Sequence, residues 1–156
     1  MTPVSVHRAS RRDVGDLALL KWSDLHGSDL SGLAGDEYAA FVTALSDWWS
    51  THGDRHAAFL SSDPSGAPIG AAWVALVPRV PRPGELDRLS GDVQSVYVVP
   101  EHRGRGVGTV LVDAAVAWAM RSGASRVTVH SSERAVSLYR RRGFAPSHRL
   151  MQRHTP

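Results

Sequence analysis

The sequence predicts a mixed α/β sheet of six or seven strands with helices on both faces, as one domain over residues 1–156. Three observations carry that reading. Two β-like runs, Ala57 to Ser61 and Ile69 to Val77, flank the turn sequence Asp63-Pro-Ser-Gly66 and so predict an antiparallel hairpin. An extended run, Asp92 to Val99, leads through a glycine- and arginine-rich turn into a helical stripe of Val107, Val110, Leu111, Ala114, Ala115 and Trp118. Arg126 to His130 then follows Gly123 as another strand, and strand–helix–strand order closes as a right-handed parallel crossover.

The remaining elements fall around these. Val4 to His7 is a short strand. Ser10-Arg-Arg-Asp13 reads as a capping box, opening a helix whose apolar face holds Val14, Leu17, Ala18 and Leu25. Gly27 to Gly35 is a small-residue loop. Asp36 can cap a second helix with a face of Tyr38, Phe41, Val42, Leu45 and Trp48 or Trp49, ending near Gly53. Pro78 to Gly84 holds three prolines and reads as a surface loop. Ala135, Leu138, Tyr139 and Arg142 share a face of a short helix stopped by Gly143. Phe144 and the tail Arg149 to Arg153 supply the last strand or pair.

Composition narrows the function classes. With 42% apolar and 21% charged residues in 156, the chain is globular. It has no cysteine, which removes disulfides, thiolate nucleophiles and cysteine-based metal sites. The apolar runs are too short to span a bilayer and no leader pattern is evident, so a cytoplasmic protein without membrane partners is expected. Basic residues crowd at Arg103, Arg105 and from Arg140 to Arg153. They suit a polyanionic ligand. Nucleic acid fits less well, because no aromatic residues interleave with the charges and no binding module is present. His52 and His56 stand four apart, but Gly53 interrupts any helix between them, so no metal is expected.

The turn after Asp92 to Val99 carries the chemistry. A helix start presents unpaired N–H groups and the positive end of a dipole, a ready site for phosphate. Without a Cβ, Gly104, Gly106 and Gly108 can take positive φ and let an anion approach. Arg103 and Arg105 add permanent charge. The pattern is Arg-x-x-Gly-x-Gly, with Thr109 where a dinucleotide fingerprint needs glycine and with no P-loop Lys-Ser/Thr pair following. An ordinary tight turn is the plain alternative.

One strand and one helix later comes Ala135-x-x-Leu-Tyr139-x-x-x-Gly-Phe144. Paired at this separation, the two motifs resemble the GNAT superfamily of acetyl-CoA-dependent N-acetyltransferases, closely over the second half and by element order over the first. The resemblance implies a mostly antiparallel sheet with one parallel crossover. It implies that the amides of Arg103, Gly104, Arg105, Gly106, Val107, Gly108 and Thr109 hold the coenzyme A pyrophosphate. Val98 and Val99 would pair with the pantetheine arm, and Tyr139 would protonate the departing thiolate. Ser132 stands where the family usually has asparagine to contact that arm. A homodimer is a further expectation of the same kind.

Acetyl transfer to an amine needs a proton acceptor, because a free alkylammonium has a pKa near ~10. Asp92 is the leading candidate, eleven residues ahead of Arg103, where protein-acetylating members resemble it in carrying a glutamate base. Strand alternation puts Asp92, Gln94, Val96 and Val98 on one face. A turn aspartate after Gly91 is the competing reading. Tyr139 has a core alternative, and His130 reads as a strand-end histidine or a lining residue. The acceptor is expected against the Gly27 to Gly35 and Pro78 to Gly91 loops. Two functions remain: transfer of acetyl from acetyl-CoA to a small-molecule or protein amine by direct attack in a ternary complex, or a non-catalytic acyl-CoA sensor.

Overall fold

The computed structural model describes residues 4–155. Five strands form one sheet in the order β1-β2-β3-β4-β5: Val6–Arg8, His56–Ser62, Pro68–Arg79, Arg88–Val98 and Ala124–Val129. The first four pair antiparallel, and β4 pairs β5 in parallel across the crossover helix. The helices are α1 (Val14–His26), α2 (Asp36–His52), α3 (Val107–Arg121) and α4 (Val136–Arg141).

Alternation along β2 builds two cores at once. Ala57 and Phe59 face α3 and its Val107, Leu111, Ala115 and Ala119. Ala58 and Leu60 face the other way, against Leu17 and Leu20 of α1 and Trp49 of α2. A strand buried on both faces is apolar throughout, which is why β2 and β3 read as continuous apolar runs. Small residues let α3 lie close to the sheet. A Cβ on Gly91 would sit 2.9 Å from the Ala119 Cβ, and one on Gly70 would sit 2.9 Å from the Tyr97 carbonyl oxygen.

Local signals explain most element ends. Ser10 accepts from the Arg12 amide at 3.2 Å while Asp13 accepts from the Ser10 amide at 2.7 Å, the expected capping box, through a short 3₁₀ turn into α1. The cap of α2 is Gly35, and Asp36 is the first helical residue, where its carboxylate complements the helix dipole. Asp63 Oδ1 accepts from the Ser65 and Ala67 amides at 2.8 and 3.0 Å and organises the β2–β3 turn.

Three expectations are corrected. The sheet has five strands among the described residues, not six or seven, because residues 144–155 form no strand. Pro146 lacks an amide donor and the arginines interrupt any apolar alternation. Pro78 lies in β3, which runs on to Arg79. Pairing with β2 ends at Ala75, so Pro78 sits where β3 has only β4 beside it and its missing N–H costs no ladder bond. Leu25, assigned to the apolar face of α1, is 81% exposed.

Candidate functional site

The parallel pairing of β4 with β5 ends at Val93↔Val129, whereas β4 continues beside β3 to Val98. Beyond Val93 the strand is therefore paired on one side only among the described residues. The β3–β4 register slips between Trp73 and Val74, which pair with Ser95 and Val93, and leaves Gln94 as the extra residue of a bulge. The bulge moves the alternation by one. Val93, Val96 and Val98 pack on the α3 side, while Tyr97 joins the α1–α2 side. The single face expected for Asp92, Gln94, Val96 and Val98 is thus split: alternation places Asp92, next to Val93, opposite Val96 and Val98.

Alternation also sorts the backbone. The Val99 amide donates to the Ile69 carbonyl of β3 at 3.0 Å. Stepping back along an antiparallel ladder, Val98 and Val96 occupy the positions whose N–H and C=O point away from β3, into the gap left by β5. Val96 and the amide of Val98, not Val99, therefore offer free main-chain groups there, the Val98 carbonyl being taken by Arg103 Nε at 2.9 Å. Val96 was missed in the sequence because its direction depends on the bulge and on the partner strand.

At the end of β4 the glycine-rich turn runs into α3. Gly104 and Gly106 have φ of 72° and 86°, a region that a side chain makes costly, and Gly106 is the N-cap residue. Gly108 is already helical and needs no positive φ. Its role is spatial, since a Cβ there would lie 3.1 Å from Leu138 Cδ1 on α4. The amides from Gly104 to Thr109 donate to no backbone carbonyl among the described residues. They sit at the positive end of the 15-residue α3. Arg105 is exposed and makes no ion pair among the described residues. Arg103 turns back: its Nε donates to the Val98 carbonyl at 2.9 Å and its guanidinium lies 5.8 Å from the Tyr97 ring centroid.

Across the gap, Tyr139 of α4 is 6% exposed and meets Phe144 edge-on at 5.4 Å. Burial pushes its phenol above its ordinary pKa of 10.0. It lines a cavity of about 310 Å³ with Thr128 and Val129 of β5 and with Leu150 of the tail. Asp92 is half-buried, with Gln94 Nε2 and Thr128 Oγ1 each 3.5 Å from its carboxylate. Ser132 is exposed just before α4. His130 is exposed, with Nδ1 3.0 Å from Gln152 Nε2.

Two more cavities lie between α1 and α2, and one of them adjoins the other face of β4. One of about 220 Å³ contains Phe41, Trp48, Trp73, Gln94 and Ser95, and one of about 360 Å³ contains Trp22, Asp24, Glu37 and the exposed Leu25. The acceptor loops expected from sequence carry less free charge. Glu85 is paired with Arg82 at 2.7 Å and with Arg88 at 3.6 Å, which offsets the acidic lip. Trp49 is core and Trp48 half-buried at the rim. His52 and His56 place Nδ1 2.8 Å from the Trp48 carbonyl and 3.0 Å from the His52 carbonyl. No cluster of three or more His, Cys, Asp or Glu suited to a metal ion occurs among the described residues. No helix among them is long and apolar enough to cross a membrane.

A forked parallel strand pair, with spare strand amides running into a glycine-rich helix start, leaves a row of unpaired N–H groups suited to an anionic ligand. Residues 19–144 match the Acetyltransferase (GNAT) family, and the chain belongs to that family. It is 30% identical to the glucosamine 6-phosphate N-acetyltransferase of Trypanosoma brucei brucei, over 57% of this chain and 58% of the relative. It is 26% identical to a mycothiol acetyltransferase of Propionibacterium freudenreichii, over 81% of this chain and 43% of the relative. The chain thus spans about half the length of these curated relatives. A predicted acetyltransferase with acetyl-CoA from Clostridium acetobutylicum shares the fold with a TM-score of 0.75 at 16% identity, covering 97% and 96% of the two chains.

Proposed function

We propose that this chain is an N-acetyltransferase that moves the acetyl group of acetyl-CoA to a primary amine by direct attack in a ternary complex. One observation carries the reading: the gap-facing backbone of Val96 and Val98 leads directly to the unspent amides of Gly104 to Thr109. A carrier with an amide-rich arm and a pyrophosphate needs those two features end to end. The N-acetyltransferase named among its relatives supports the same reaction class.

In this reading the Gly104 to Thr109 amides and Arg105 bind the pyrophosphate, and Val96 and Val98 pair with the arm. Arg103 braces the Val98 carbonyl and adds charge beside the pyrophosphate. Ser132 supplies a hydroxyl to the arm near α4. The amine is deprotonated through Asp92, directly or through water, and attacks the thioester carbonyl. Collapse expels the thiolate, which Tyr139 protonates, while the proton lost by the attacking nitrogen passes through water to restore the Tyr139 phenol. The acceptor enters between α1 and α2. The protein works in the cytoplasm, and a homodimer accords with the family.

Calorimetry with acetyl-CoA, followed by coenzyme A release over an amine panel, tests the proposal. Micromolar binding with turnover is expected, and Arg105→Glu should raise the acetyl-CoA KM about tenfold or more by reversing a charge at the phosphates. Unchanged KM would remove the pyrophosphate assignment. Tight binding without turnover on any amine would identify an acyl-CoA sensor instead.

A further inference from the structure

The two cavities between α1 and α2 share Lys21 and Phe41. The cavity against β4 has aromatic walls in Phe41, Trp48 and Trp73, and among the described residues Lys21 is the only ionisable side chain that lines it. Lys21 is also the only lysine in the chain. Its Nζ stands 3.0 Å from Ser95 Oγ, which fixes the ammonium beside the bulged part of β4. Its carboxylate neighbour Asp24 is 3.9 Å away, and both side chains are nearly half exposed. So loose a pair gives way readily to a better-placed anion.

The carboxylates Asp24 and Glu37 belong to the other cavity, which touches no part of β4. Lys21 lines both cavities, so an amine in the cavity against β4 meets a cation and no carboxylate among the described lining residues. That cation repels a bare alkylammonium. It attracts an amine that also carries an anion, while the tryptophan and phenylalanine walls take up an apolar body.

Resting on the acetyl-transfer reading, we propose that Lys21 determines acceptor specificity. The acceptor is a small primary amine bearing an anionic group and an apolar body of aromatic size. Carboxylate and phosphate satisfy Lys21 alike, so the test carries one arm for each.

The probes are phenylalanine, 2-phenylethylamine and tyramine phosphate, which share a ring and an amine but differ in the anion. At least one anionic amine should exceed 2-phenylethylamine tenfold or more in kcat/KM, and the better of the two identifies the preferred anion. Lys21→Met should lower that selectivity ratio at least tenfold, and Lys21→Glu should invert the order. A wild-type preference for 2-phenylethylamine, or a ratio that survives Lys21→Met, would overturn the proposal. Tryptophan fluorescence titrations in the presence of coenzyme A give a second readout without chemistry. If the anionic amines bind in a Lys21-dependent order but none is acetylated, the specificity assignment stands and the transfer reading fails. The absence of both binding and turnover with the anionic amines would overturn the Lys21 assignment itself.

Discussion

Tyr139 is 6% exposed, and burial raises its phenol above the ordinary 10.0. Only the protonated phenol can donate to a thiolate, so this acid stays loaded across the whole working range. Tyr139→Phe should lower kcat about 100-fold and no further, because a thiol of pKa near ~8.5 is already a fair leaving group. Steady-state kinetics beside a melting curve separates this from misfolding. The sign of the stability effect follows from the same shift. The folded pKa lies above the unfolded one, so this contribution is intact below about pH 10 and is lost as pH rises through the folded value. Urea unfolding of wild type and Tyr139→Phe should therefore differ in pH dependence only at the alkaline end. For Asp92, replacement by asparagine should abolish or move the acidic limb of the kcat/KM profile, and an unmoved limb would exclude it as the base. The burial of Tyr139 against Phe144 was legible because its Leu-Tyr and Gly-Phe neighbours are local. The backbone direction of Val96 was not, since one extra residue at Gln94 reverses what alternation alone dictates.

Among the elements, β4 and α3 pack closely at Gly91. A Cβ on Gly91 would meet Ala119 at 2.9 Å and Val127 Cγ2 at 3.1 Å, both on backbone-anchored groups with no room to swing away. Gly91→Ala should cost about 1–3 kcal/mol, read as a lower urea midpoint at constant slope. Gly108→Ala should cost less, since its neighbour at 3.1 Å is the mobile tip of Leu138. Helix ends and the hairpin were readable from the sequence because caps and turns act within three or four residues. Ser10 with Asp13 and Asp63 with Ser65 behave as their spacing requires. Pro78 was misplaced because a proline's cost depends on what lies beside it. That is a property of the sheet, and β2 stops short of it.

At the scale of the whole molecule, α4 is tied to α3 by a two-pronged contact. Arg142 Nε and Nη2 each donate to Asp113 at 2.7 Å, with both side chains about two-fifths exposed. Solvent limits such a pair to about 1 kcal/mol or less, so Asp113→Ala should barely change the melting temperature. It should still lower kcat severalfold while acetyl-CoA binding holds, because α4 carries Tyr139. The five-strand count has a different outcome. Among the described residues β5 has only β4 as a neighbour, so the far rim of Ala124–Val129 carries an open row of hydrogen-bonding groups. Such a rim invites another chain to zip onto it. Arg126, exposed in the middle of that strand and its one charged residue, is expected to disfavour such stacking. Swapping it for valine should turn a clear solution turbid on standing, with light scattering that grows with protein concentration while fresh samples keep their secondary-structure spectrum.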